Sequence, residues 1–281
     1  MKKKNLLIIF FIIIFNVTFT NTEKKESYII ASFNTLHLGW KGKDYKELAE
    51  IISLFDLVGL QEVMSKDGLK KLDSELEKLT NEKWYWHISK YSVGRSKRYR
   101  EYYAYIWREK KVKFKRSMGF FKEKNDEFIR EPYGAIFQIK DLEFGFVLNH
   151  FIYGEKKKDR QLEALYLDEV YNYFNKFTKK ILIAGDFNLP AYDESFKDMI
   201  KNKIFYAIDP TNKTTIGKYG LASSYDNFFI PYDTFDEYSG RNGVYDFTKD
   251  KKYDKKYGKE KYKILRETVS DHLPVFIELD I

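Results

Sequence analysis

Apolar and polar positions divide the chain into short uninterrupted apolar runs and longer stretches with helical spacing. Tyr28-Ile29-Ile30-Ala31-Ser32-Phe33 reads as a buried strand closing on Asn34. Asp56-Leu57-Val58-Gly59-Leu60-Gln61-Glu62 reads as another, closing on a carboxylate. Between them Leu48, Ile51, Ile52 and Phe55 keep helical spacing, and Asp44 with Glu47 forms a capping box, which predicts a helix over Asp44–Leu54. Ser65 caps a second predicted helix, with Leu69, Leu72, Leu76 and Leu79 on one face. Trp84–Ile88 and Tyr103–Trp107 predict strands around a basic loop, Arg95–Arg100. Ala135–Ile139 and Phe144–Asn149 predict a hairpin, and Lys158–Phe177 one long amphipathic helix. That helix leads to Ile181-Leu182-Ile183-Ala184, a run apolar enough to be buried on both faces, which stops at Gly185-Asp186. Asp193–Lys201 predicts a further helix, and Ile204–Ile208, Ser224–Pro231 and Leu273–Leu279 predict strands. Strands that alternate with helices but include a hairpin require mixed sheets.

Composition bounds this picture. A chain of 281 residues, 43% hydrophobic and 18% aromatic, buries a sizeable core, and no internal repeat or flexible linker divides it. It reads as one domain, 28–281, behind an amino-terminal export segment, 1–27. There Lys2, Lys3 and Lys4 precede the apolar run Leu6–Phe15 and a polar exit, the pattern of a secretory signal. No Ala-x-Ala cleavage site follows, so an uncleaved membrane anchor remains an alternative to a secreted, periplasmic or cell-surface protein. Cysteine is absent, which excludes thiol nucleophiles and zinc-thiolate sites. The formal charge of +8 falls to +5 without the three leading lysines, an excess that favours polyanions.

Chemistry-bearing residues gather at the ends of the apolar runs: Asn34, Glu62, His150, Asp186 with Asn188, Asp226, and Asp271 with His272. Two of the four histidines are among them, and so many titratable or amide-bearing strand ends point to one pocket. Asp186 and Asn188, two apart, face the same way if the strand persists. Asp271 and His272 can serve one site only if the chain has left regular pleating by then. His37 and His87 lack comparable context and receive no role.

The order of these pieces resembles the endonuclease/exonuclease/phosphatase superfamily and, within it, the deoxyribonuclease I branch. The matching stretches are Ser32-Phe33-Asn34, Gly59-Leu60-Gln61-Glu62-Val63, Tyr99-Arg100-Glu101-Tyr102-Tyr103, Arg130-Glu131-Pro132, Leu148-Asn149-His150, Gly185-Asp186-Phe187-Asn188, Ser224-Tyr225-Asp226 and Ser270-Asp271-His272-Leu273-Pro274-Val275. The resemblance implies a four-layer α/β sandwich, two central mixed sheets with helices outside, and metal-dependent hydrolysis of phosphodiesters. It assigns Mg²⁺ (or Mn²⁺ in its stead) to Glu62, with Asn34 and Asp271 completing or assisting. It pairs Glu101 with His150 and Asp226 with His272, sets Asp186 to orient water and Asn188 to donate to the phosphate, and leaves open which histidine is the base. Arg130, Tyr99 and Thr215 become substrate contacts, with Tyr99 laid against a DNA groove.

Departures from the family's pattern bear on substrate. Met64 stands where a groove-inserting arginine is expected, the family's disulfides are absent, and neither calcium loop matches, which puts structural Ca²⁺ in doubt. Lys249–Lys263, with Tyr253, Tyr257 and Tyr262 interleaved, reads as a second backbone-tracking surface or a solvated loop. The expected partner is DNA, with RNA as an alternative nucleic acid, and the chain is expected to act as a monomer with no obligate protein partner. The competing readings are a sphingomyelinase-like phospholipid phosphodiesterase, a nuclease subunit of a toxin, and a non-catalytic binding scaffold.

Overall fold

In a computed structural model, which describes residues 25–96 and 99–281, the described residues form twelve strands and seven α-helices. The segment expected to direct export lies outside the described residues except for 25–27, of which Ser27, expected to precede the domain, already pairs with Asp280; Lys97 and Arg98 of the basic loop also lie outside them. The first half runs β1 (Ser27–Leu38), α1 (Tyr45–Ile52), β2 (Leu57–Val63), α2 (Lys66–Thr80), β3 (Trp84–Ile88), β4 (Tyr102–Arg108), β5 (Lys113–Phe120), β6 (Tyr133–Ile139) and β7 (Leu142–His150). The second half runs α3 (Lys157–Leu165), α4 (Leu167–Phe174), β8 (Ile181–Asp186), α5 (Lys197–Lys201), β9 (Ile204–Tyr206), β10 (Asp226–Pro231), β11 (Tyr238–Val244), α6 (Lys251–Tyr257), α7 (Lys261–Thr268) and β12 (Val275–Asp280).

Two six-stranded sheets result, ordered β11-β12-β1-β2-β4-β3 and β5-β6-β7-β8-β10-β9. Each holds one parallel pair at its centre, β1 with β2 and β7 with β8, and antiparallel pairs around it. Alternation along the strands builds three apolar layers. Ile30, Leu57, Tyr105, Phe146, Leu148, Leu182 and Ala184 meet between the sheets. Ala31, Phe33, Val58 and Leu60 face α1, α2 and the α6–α7 segment. Val147, Ile181 and Ile183 face α3 to α5. The expected four-layer sandwich is the fold observed.

Hydrogen bonds pin one sheet to the other. The Tyr105 hydroxyl on β4 reaches Phe146 O (2.7 Å) and Tyr133 O (3.0 Å) in the facing sheet. The Tyr103 hydroxyl accepts the His150 N–H at 3.0 Å, fixing the end of β7 from across the core.

Several elements differ from the reading of the sequence. The predicted helix Lys158–Phe177 breaks at Tyr166 into α3 and α4. The two halves bury different faces, because α3 turns Glu163 and Ala164 inward while Leu162 and Leu165 stay exposed. Glu163 is there to accept the N–H groups of Ile129 (2.9 Å) and Ile152 (2.7 Å), and burial pushes its carboxyl up to about 7. Asp44 caps α1, accepting from Glu47 N at 3.1 Å. The Glu47 carboxylate does not complete a capping box; it takes the Tyr253 hydroxyl and Lys252 Nζ instead. Lys249–Lys263 is not a loop: it is mostly helical, buries Tyr253 and leaves most of its lysines exposed. Leu79 is exposed, unlike Leu69, Leu72 and Leu76. The edge strands β5 and β11 were not predicted, and both are largely polar or exposed.

Gly185 is where the fold constrains the backbone most tightly. It pairs with Asn149 across β7 and β8, holds φ at +151°, and a Cβ there would lie 1.9 Å from the Asn149 carbonyl oxygen. Gly185→Ala must therefore part the two central strands. The expected cost is about 3 kcal/mol, summing overpacking and backbone strain. Urea unfolding checks it, and a loss within about 0.5 kcal/mol, the range of a neutral surface change, would show that the pair yields freely.

Candidate active site at the carboxyl ends of the parallel pairs

In each parallel pair both strands finish at the same edge, so β1 and β2 deliver Asn34 and Glu62 while β7 and β8 deliver His150 and Asp186. Antiparallel neighbours begin where these end. Glu101 accordingly precedes β4, Asp226 opens β10 opposite Asp186, and Asp271 with His272 precede β12. Of the residues read from the sequence as strand ends, Asn34, Glu62, His150 and Asp186 are carried at strand ends, whereas Asp226, Asp271 and His272 stand at strand beginnings. A cleft of about 380 Å³ lies over this edge, lined by Glu62, Arg130, His150, Asp186, Asn188, Thr215, Asp271 and His272. Glu101, Asn34 and Asp226 sit buried behind it.

Two imidazole–carboxylate pairs converge on one buried carboxylate. His150 Nδ1 lies 2.7 Å from Glu101 Oε1, and Arg130 Nε lies 3.0 Å from Glu101 Oε2. His272 Nδ1 lies 2.8 Å from Asp226 Oδ2, which also accepts the Thr214 hydroxyl at 2.7 Å. The opposite nitrogens, both Nε2, approach Asp186 Oδ2 at 3.5 Å from His150 and 3.4 Å from His272. Asn34 donates its amide to Asp186 Oδ2 (3.2 Å) and to Glu62 Oε1 (3.1 Å).

The charges follow from this packing. Burial and Arg130 pull the His150 imidazole down, but Glu101 and Asp186 outweigh them and hold it above its ordinary value. Burial opposes the His272 charge too, and Asp226, Asp186 and Asp271 raise it well above that value. Asp186 is buried, which favours its protonated form, yet the two imidazoles and the Asn188 N–H keep it below the usual carboxylate range. Burial likewise works against the Glu101 charge, and His150 with Arg130 lower its carboxyl.

Asn188 shares the side of Asp186 through a turn, not through pleating. β8 ends at Asp186, Asn188 takes a left-handed φ of 48°, and its N–H donates to Asp186 Oδ1 at 2.9 Å. Its side-chain amide donates to Phe151 O at 2.9 Å. Asp271 and His272 do escape regular pleating. Ser270 donates its hydroxyl to Asn34 O and accepts from His272 N, and His272 bridges to Thr215.

Two donor sets fit a cation. Asp186, Asp226 and His272 bring ligand atoms within 4.8 Å of one another. There Asp226 Oδ2 already meets His272 Nδ1 and the Thr214 hydroxyl, while its Oδ1 is buried with no hydrogen-bond partner, and a metal would need the neutral His272 ring, whose charged form the surrounding carboxylates favour. Glu62 and Asp271 line the open cleft with hard carboxylate oxygens, and Asp271 Oδ1 is buried with no hydrogen-bond partner. A hard divalent ion that retains waters suits that second set. Asn34 presents its NH₂ to the carboxylates and gives its oxygen to Leu36 N–H at 3.0 Å, so in this arrangement it steadies Glu62 and does not offer an oxygen.

Some residues at the site escaped the sequence reading. His37 has no motif around it, yet its Nε2 lies 3.3 Å from Glu62 Oε2. Lys43 is drawn down to about 8 by burial, against the pull of Glu62 and Asp271, and donates to Val269 O at 2.6 Å. Arg130 reaches the carbonyls of His150 and Phe151, each at 3.4 Å. Thr215 lines the cleft, but its hydroxyl accepts from Ser223 N at 2.8 Å. Tyr99 stands outside the cleft lining, 6.3 Å from the His37 ring. His87 is away from the site, bonded to the Tyr133 hydroxyl at 2.7 Å and stacked on Phe114.

Both imidazoles sit above the unfolded value of about 6.5, so the stability they add is full below that pH and is lost as pH rises through their folded values. Glu101→Gln keeps the shape but removes the charge that raises His150. The His150 imidazole, followed by its ring nitrogen resonances, then titrates lower than in the wild type while His272 barely moves. An unmoved His150 would mean that Asp186 alone holds its proton.

A family model described as the Endonuclease/Exonuclease/phosphatase family matches residues 31–272. A deoxyribonuclease of Thioalkalivibrio sp. (strain K90mix) is 33% identical over 213 residues, 73% of this chain and 58% of that protein. The chain therefore spans little more than half the length of that relative. Among solved structures, an endonuclease/exonuclease/phosphatase from Bacteroides vulgatus has a TM-score of 0.62 at 15% identity, covering 92% of this chain and 100% of that one. D. rerio TDP2 complexed with single-strand DNA product gives 0.63 at 14%, covering 91% and 99%. A mannosyl-6-phosphatase of Bacteroides thetaiotaomicron gives 0.60 at 16%, covering 90% and 100%. At such identities the structures share the fold alone, while the family match runs through every strand that carries the site. The chain belongs to the endonuclease/exonuclease/phosphatase family of hydrolases.

Proposed function

We propose that the chain is an exported, Mg²⁺-dependent endonuclease that hydrolyses DNA phosphodiester bonds with little sequence specificity. The observation that carries this reading is the convergence of His150–Glu101 and His272–Asp226 on Asp186, 3.5 and 3.4 Å away, beside an open cleft. The identity of the relative named a deoxyribonuclease supports it. The charged amino terminus and apolar run of the sequence support export.

In this mechanism Arg130 and the Asn188 amide hold the phosphate oxygens over Asp186. Asp186, anionic between two imidazoles, orients the attacking water and draws its proton toward one of them, which enters the step neutral. Water oxygen forms the new bond to phosphorus as the bond to the leaving oxygen breaks. The other imidazole, kept charged by its buried carboxylate, delivers a proton to that leaving oxygen. Glu62 and Asp271 would hold Mg²⁺, which when bound neutralises charge on the phosphoryl oxygens. Glu101 and Asp226 fix the imidazoles through Nδ1 and so leave both Nε2 atoms facing the reaction.

The test is supercoiled plasmid incubated with the purified chain and Mg²⁺, beside EDTA and a His150→Ala control. Nicking is expected to need the metal and to fall at least about 100-fold in the variant. A folded protein that leaves the plasmid intact would overturn the reading, and sphingomyelin, phosphoinositides and sugar phosphates would be the substrates to try next.

A further inference from the structure

Three rings gather at the rim on the Glu62 side, outside the two imidazole pairs. β1 abandons regular pleating at Leu36 and His37, with φ of 42° and 58°, and Gly39 continues the reversal at 109°. The turn rests on the start of α2: a Cβ on Gly39 would meet Ser65 Oγ at 2.4 Å, and one on Gly68 would meet Gly39 Cα at 2.7 Å. Two glycines thus seat the turn against a helix, and the platform it carries is backed by packed structure. The reversal lays His37 on Trp40, with centroids 4.0 Å apart and 19° between planes. Tyr99, from the basic loop, tilts against both, at 6.3 Å from His37 and 6.1 Å from Trp40.

The inner end of this stack is anchored and the outer end is open. Glu62 Oε2 lies 3.3 Å from His37 Nε2 and accepts the His37 N–H at 3.2 Å. Trp40 remains 39% exposed and Tyr99 48% exposed. Core packing does not account for a tryptophan left this open and stacked on a histidine that a cleft carboxylate holds. The platform starts at a carboxylate that lines the cleft, so a flat group placed on it would be attached close to a phosphate in the cleft. Arg95 and Arg100, in the same loop as Tyr99, add cations for a polyanion. A flat π-face beside a phosphate on a polyanion is a nucleobase, and stacking on aromatic rings tolerates any of the bases.

We propose that Trp40, on the His37 and Tyr99 stack, is a base-stacking subsite for a nucleotide next to the scissile phosphate. The proposal rests on the nuclease reading and names what that reading leaves open: a nucleobase is part of what the enzyme grips. Trp40 also braces His37 against Glu62, and the experiment separates the two roles. Binding of labelled single-stranded oligothymidylate, and of an abasic deoxyribose-phosphate chain of equal length, is measured by fluorescence anisotropy in EDTA. Wild type, Trp40→Ala and Trp40→Phe are compared, together with kcat and KM on the oligonucleotide with Mg²⁺.

The expected result is about tenfold weaker oligothymidylate binding by Trp40→Ala, unchanged abasic binding, recovery by Trp40→Phe, and a loss confined to KM. Equal losses on both chains, a loss confined to kcat, or no loss at all would overturn the subsite while leaving the nuclease reading intact. Wild-type protein that neither binds nor cleaves the oligonucleotide would overturn the nuclease reading, and the subsite with it.

Discussion

Asp186 is a carboxylate taken out of water at the end of β8, and the rest of the site is arranged around making that tolerable. Burying an unpaired charge of this kind costs several kcal/mol. Four groups offset it: the two Nε2 atoms, the Asn188 N–H and the Asn34 amide. They come from both sheets and from the loop ahead of β12, so the site cannot assemble until the sandwich has closed. The glycine before Asp186 belongs to the same constraint, since only a residue without Cβ brings β7 and β8 close enough to set His150 beside it.

How much of this was legible in the sequence depended on where the local signal and the tertiary role coincide. The buried strands announce themselves as apolar runs, so the polar residues that close them, Asn34, Glu62, His150 and Asp186, could be named before any contact was known, whereas Glu101, Arg130, Tyr99 and Thr215 were named only through the family resemblance. Edge strands carry no such signal. β5 and β11 are paired on one side and wetted elsewhere, and their sequences read as loop. Glu163 misled for the opposite reason: a buried carboxylate accepting two backbone N–H groups takes the place an apolar residue would hold, shifting the phase of α3 against α4. His37 was invisible because its partner, Glu62, is twenty-five positions away and meets it only through a left-handed turn.

Backbone strain is concentrated in the same place. Of the eight described non-glycine residues with positive φ, Leu36, His37, Glu62 and Asn188 lie at the cleft or its rim. Each costs on the order of 1–3 kcal/mol, which is tolerated only where the surroundings over-determine the conformation. Here the surroundings do so: Glu62 is held by Asn34 and His37, and Asn188 by Asp186 and Phe151. The chain leaves the pleat at these points, and leaving it turns the side chains toward one another across the edge.

The charge of the cleft wall turns on the two imidazoles. Glu62, Asp186 and Asp271 face Arg130 and Arg266 along it, an excess of one negative charge before the histidines are counted. With no cation on Glu62 and Asp271 and both rings neutral, that wall repels a phosphodiester. One charged ring offsets that excess, and the groups that favour the charged forms are Glu101 and Asp226, buried behind the rings. Carboxylates in that position raise the imidazoles without adding negative charge at the surface the phosphate approaches. The buried half of each pair therefore governs binding of the anion as well as the proton transfer, and the two cannot be tuned separately.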